Sequence, residues 1–124
     1  MDYSVLQHQL QQHELDEEAV LSLLDWIRQW QREAPACQLN RGERLCSVDF
    51  FWPQHHDKPL LQVDGYGRIW FYHQRMAGAA LFNALKSAFG ILFSAQEHPT
   101  VSCLHPPFWQ GQLPVLTQLI KGHF

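Results

Sequence analysis

The stretch Leu60-Leu61-Gln62-Val63-Asp64-Gly65-Tyr66-Gly67-Arg68-Ile69-Trp70-Phe71-Tyr72-His73 decides the fold. Residues 60–63 and 68–73 are apolar runs flanking a short link with two glycines, the pattern of a β-hairpin. The period of two along a strand sorts the side chains. Leu61, Val63, Ile69 and Phe71 fall on one face, which reads as core, and Leu60, Gln62, Arg68, Trp70 and Tyr72 on the other.

Working outward, residues 45–52 alternate and are rich in aromatic and β-branched types, with Val48 and Phe50 on one side and Asp49 and Phe51 on the other. This predicts a strand ended by Pro53, and with the hairpin a three-stranded meander. Residues 100–104 predict one later strand, followed by an extended break at His105-Pro106-Pro107.

Helices frame the strands. Asp16 is a helix N-cap candidate, and Glu17 and Glu18 suit the positive end of the helix that follows. On that helix Ala19, Val20, Leu23, Leu24, Trp26, Ile27 and Trp30 share one side, until Ala34-Pro35 breaks it. Residues 1–14 carry Val5, Leu6 and Leu10 at helical spacing and predict a short helix or helical arm. Residues 114–121 predict a last helix, with Pro114 at its start and Gly122 after its end.

Residues 76–93 predict a central helix with almost no polar side. Thirteen of the eighteen are apolar, and only Asn83, Lys86 and Ser87 are polar. Such a helix must be covered nearly all round. Its leucine line, Leu81, Leu85, Ala88 and Leu92, is expected to meet the sheet, with Ala80 and Ala84 on one flank and Phe82, Phe89 and Phe93 on the other. As a membrane span it would hold Lys86 at mid-bilayer, at about 2.5–3.5 kcal/mol, so no membrane is expected.

The fold class is therefore α+β: a small antiparallel sheet packed by an N-terminal amphipathic helix, a central apolar helix and a short C-terminal helix. The 124 residues suit one domain spanning 1–124. The order of elements resembles the α-β-β-β-α beginning of the secretion-chaperone fold, which is also small and acidic. That is a likeness of order alone, with no residue motif behind it, and order does not carry function.

Composition narrows the function. The net charge is −3 with no basic stripe, so nucleic acid is not an expected partner. Residues 1–33 hold seven acids against Arg28 and Arg32, a balance of −5 that leaves +2 for the rest. Glu17, Glu18 and Asp25 on this acidic end would steer a basic partner. The odd set Cys37, Cys46 and Cys103 lacks C-x-x-C spacing, and no secretory leader pattern opens the chain, which together predict a reducing cytoplasm.

Catalytic signatures are sparse. There is neither a phosphate-binding glycine motif nor a G-x-S-x-G elbow. The His55-His56-Asp57 loop lacks the spacing of a known metal site, so no metal or cofactor is expected. Cys103 and His105, two apart on a strand, could share a face, with His98 upstream. What is in surplus is aromatic surface, and aromatic and arginine side chains among polar neighbours have the composition of interface hot spots.

The sequence therefore predicts a non-catalytic protein that binds another protein, as an inhibitor, an immunity or antitoxin-like neutraliser, or a dedicated chaperone. Its expected contact residues are Phe51, Arg68, Trp70, Tyr72, Phe82, Phe89 and Phe93, with Glu17, Glu18 and Asp25 for steering. The rival is a small Cys/His- or metal-dependent enzyme using Cys103, His105 and His98 or the His55-His56 pair. A third reading is a homodimer with an apolar ligand between helix and sheet.

Overall fold

The computed structural model describes residues 2–33, 36–42, 44–51, 59, 61–72, 80–89 and 101–122. In chain order the elements are α1 (Ser4–Gln12), α2 (Glu17–Glu33), β1 (Ala36–Arg41), β2 (Cys46–Phe51), β3 (Leu61–Asp64), β4 (Ile69–Tyr72), α3 (Ala80–Phe89), β5 (Val101–Leu104), α4 (Pro106–Trp109) and α5 (Leu113–Lys121). The five strands form one antiparallel sheet whose order follows the chain, β1-β2-β3-β4-β5. The chain is thus a mixed α+β fold with a helix at each end.

The predicted hairpin forms. β3 and β4 pair with Leu61 opposite Phe71, Gln62 opposite Trp70 and Val63 opposite Ile69. The inner face runs on through Val48 and Phe50 of β2 and Leu104 of β5, all fully buried. It shares one continuous core with the buried sides of α1, α2, α3 and α5 and with Trp109 of α4.

On α2 the seven residues predicted to share a side are all buried. Its start is capped as expected, since Asp16 Oδ1 accepts the Ala19 backbone N–H at 2.8 Å. α1 does not stand off as an arm. Leu6 and Leu10 are fully buried, and Gln9 Oε1 accepts the Cys46 backbone N–H at 2.9 Å, tying the helix to β2. Glu14, at φ 65, turns the chain from α1 into α2.

Three expectations are corrected. A fifth strand, β1, precedes the predicted meander, pairing with β2 from Ala36 opposite Phe51 to Arg41 opposite Cys46. Gln and Asn are weak strand formers, and here tertiary pairing overrides propensity. The break after β5 contains a short helix, α4. α3 is not covered all round, because Ala80, Asn83, Lys86, Ser87 and Ala88 are exposed. Its buried side is Leu81, Leu85 and Phe89, four apart, with Phe82 packed against the core beside it. Ala88 therefore leaves the expected leucine line, and Phe82 and Phe89 do not form an exposed aromatic row. Phe93 and Leu92 lie outside the described residues. Among the described residues, no helix is long and apolar enough to cross a membrane.

The buried end of α1 has an alkaline signature. The Tyr3 hydroxyl donates to Gln31 Oε1 and lies beside the Cys37 thiol. Burial first, then the Cys37 group, push the Tyr3 phenol up to about 12 against an ordinary 10, with Arg28 opposing. Cys37 is also raised, chiefly by burial. A group whose pKa is higher when folded contributes stability that is whole below its unfolded pKa and vanishes as pH climbs through the folded one. The fold is therefore expected to lose stability between pH 10 and 12, and Tyr3→Phe to lose less over that span. Urea unfolding across the interval checks this, and identical slopes for the two proteins would refute it.

Candidate functional site

The outer face of the sheet belongs to a different population of side chains. Strand register lines up one row across all five strands: Gln38, Asp49, Gln62, Trp70 and Cys103. Two hydrogen-bonded groups organise this face.

The first centres on Gln62. Its amide donates to Asp49 Oδ1 at 2.8 Å and to Ser47 Oγ at 3.2 Å, while its carbonyl oxygen accepts from the Tyr72 hydroxyl at 2.8 Å. Ser47 Oγ in turn donates to Asp49 Oδ1 at 2.9 Å. Asp49 and Ser47 are buried under these neighbours, so their polar groups are satisfied within the face.

The second centres on Asp64, which is only 4% exposed. Its Oδ1 accepts the backbone N–H groups of Tyr66 (2.9 Å) and Arg68 (3.0 Å), forming the turn. Its Oδ2 accepts Arg68 Nε at 2.7 Å and Trp70 Nε1 at 2.9 Å. The Arg68 guanidinium is thereby held over two rings, with its central carbon 4.8 Å from the Tyr66 centroid and 5.1 Å from that of Trp70. Gly67 takes the left-handed φ of 80 that closes the turn, and a Cβ there would come within 2.8 Å of Leu15 Cδ2. Trp109 Nε1 donates to the Gly67 carbonyl at 2.6 Å and backs the turn from the core.

Arg68 stands at the border of two recesses. One, of about 500 Å³, is lined on the sheet face by Asn40, Ser47, Gln62, Asp64, Trp70 and Tyr72 together with Arg68. The other, of about 420 Å³, lies beyond the turn, where His13, Asp16, Tyr66, His105 and Pro106 surround Arg68. His13 is fixed there by its Nδ1, 3.1 Å from the Gly65 carbonyl oxygen, and by its ring, 3.8 Å from the Tyr66 centroid.

Among the predicted contact residues, Arg68, Trp70 and Tyr72 therefore come together on the outer face, and half-buried Phe51 lies on the same face. The steering acids sit elsewhere. Glu17 and Glu18 are exposed in the first turn of α2, and Asp25 lies 3.4 Å from the Arg28 guanidinium at the surface. Cys103 and His105 are brought within 3.7 Å, Sγ to Nε2. His98, His55, His56 and Asp57 lie outside the described residues. Among the described residues, no group of three or more His, Cys, Asp or Glu side chains could hold a metal ion. Sequence reading passed over Asp64 and Tyr66. The alternation Asp64, Tyr66, Arg68, Trp70 is the pattern that holds them.

Comparison with protein-family models, with curated proteins and with solved structures found no match to this chain. The likeness of element order to secretion chaperones thus gains nothing beyond the order itself.

Proposed function

We propose that this chain is a non-catalytic protein that acts by binding another protein through the outer face of its sheet, as an inhibitor, an immunity or antitoxin-like neutraliser, or a dedicated chaperone. The observation that carries this reading is Arg68, anchored by buried Asp64 and held over Tyr66 and Trp70 where two recesses meet. Arginine, tryptophan and tyrosine dominate interface hot spots. Pre-ordering them in the unbound protein removes part of the entropy cost of association.

Glu17, Glu18 and Asp25 would raise the association rate with a basic target while contributing little to the contact itself. A cytoplasmic location belongs to this reading, and the reduced thiols of Cys37, Cys46 and Cys103 are compatible with it. Self-association is the alternative use of the same face, and the solution mass of the purified chain distinguishes it.

The test is capture of partners from the native cell with the wild-type chain, Arg68→Ala and Trp70→Ala, each checked for an unchanged melting profile. Truncating a hot spot costs about 2 kcal/mol or more, close to thirtyfold in affinity. Both variants are therefore expected to release the partner. Undiminished capture by a folded Arg68→Ala chain would reject the outer face as the contact.

A further inference from the structure

The end of β5 carries a reactive thiol, and an imidazole follows it, a pair that the protein-binding reading does not use. Cys103 lies on β5 and His105 two residues on, just past the strand's end, where extended backbone still directs both to one face. Pro106 restricts the residue before it to extended backbone, and His105 accordingly sits at φ −78, ψ 157. That fixes the imidazole beside the thiol, with Nε2 3.7 Å from Sγ. Cys103 is half-buried and His105 exposed, so a solute can reach the pair.

The other two thiols provide an internal comparison. Cys46 is sealed in the core at 1% exposure. Cys37 is held toward its protonated form by burial.

The surroundings also suggest what would approach. His105 lines the recess bordered by Arg68, whose Nε is taken by Asp64 while its two terminal nitrogens have no protein acceptor among the described residues. Those nitrogens offer paired donors to a carboxylate. Cys103 stands directly opposite Trp70, the ring that flanks the guanidinium. A nucleophile, its base and an anion anchor thus occupy neighbouring positions on one corner of the sheet.

We propose that Cys103, activated by His105, is a site of thiol–disulfide exchange with small carboxylate-bearing disulfides. The Cys103 proton passes to His105 Nε2, and the thiolate attacks one sulfur of the incoming disulfide. A new S–S bond forms as the old one breaks. The departing thiolate takes the proton back from the imidazolium, leaving Cys103 oxidised to a mixed disulfide and half of the reagent reduced to a thiol.

The experiment incubates the full chain with glutathione disulfide at pH 7 and follows each cysteine by peptide mass spectrometry. An ordinary thiol is only a few per cent ionised at this pH, so pairing with an imidazole is worth about tenfold in rate. Cys103 is expected to be modified first. His105→Gln is expected to slow it about tenfold and to move its pH–rate profile upward. Arg68→Ala is expected to abolish the preference for glutathione disulfide over uncharged hydroxyethyl disulfide. Modification of Cys37 ahead of Cys103, or a Cys103 rate and pH profile indifferent to His105→Gln, would overturn the proposal. Equal rates with the two disulfides in the wild-type chain would overturn the role of Arg68.

Discussion

Trp109→Ala is expected to remove about 3–5 kcal/mol of stability, the range for truncating a buried aromatic. Among the described residues Trp109 is the largest side chain that is fully buried, although it comes from a helix of four residues with little stability of its own. Two losses add. A cavity opens between α4 and the β3–β4 turn, and the Gly67 carbonyl loses the indole N–H it accepts at 2.6 Å. Trp109→Phe separates them, because it keeps most of the volume and removes only the donor. It is expected to cost about 1–3 kcal/mol, the penalty for an unsatisfied buried group. Small domains are stable by only about 5–15 kcal/mol, so the alanine variant should unfold at a markedly lower urea concentration. A midpoint matching the wild type would mean that the turn is held without this wedge.

Asp64→Ala is the second large effect, expected at about 3 kcal/mol, toward the lower end for breaking a buried ion pair because Arg68 keeps some contact with water. One carboxylate receives four donors here, two from the turn backbone and two from the side chains of Arg68 and Trp70. Its removal loosens the turn and releases the guanidinium together. Asp64→Asn distinguishes these effects: the amide oxygen can still accept from the turn, while the charge that fixes Arg68 is gone. Urea unfolding should rank the proteins wild type, Asn, Ala. If Asp64→Ala unfolds with the wild type, the turn is held by Gly67 and Trp109 alone.

Much of the fold was legible because its signals are local. The hairpin rests on a period of two around Asp64-Gly65-Tyr66-Gly67, and α2 on a period near four behind an Asp16 cap. β1 was not legible, since Gln38 and Asn40 extend only because β2 offers them a partner. Nor was the docking of α1, which depends on Gln9 reaching Cys46 far along the chain. The site divides similarly. Strand alternation put Arg68, Trp70 and Tyr72 on one face, and spacing put Cys103 beside His105. The row from Gln38 to Cys103 needs the register of four ladders, and the clamp on Arg68 needs the coordinates of a turn.

Among the described residues the sheet runs from β1 to β5, which are its two edges. An edge strand exposes backbone donors and acceptors that invite fibril-like stacking with stray chains. β5 is four residues long, and His105-Pro106-Pro107 follows at once. Proline has no amide hydrogen to extend a ladder. Pro106, which holds His105 extended, and Pro107 after it thus also blunt this rim, leaving an intruding strand too few rungs to grip.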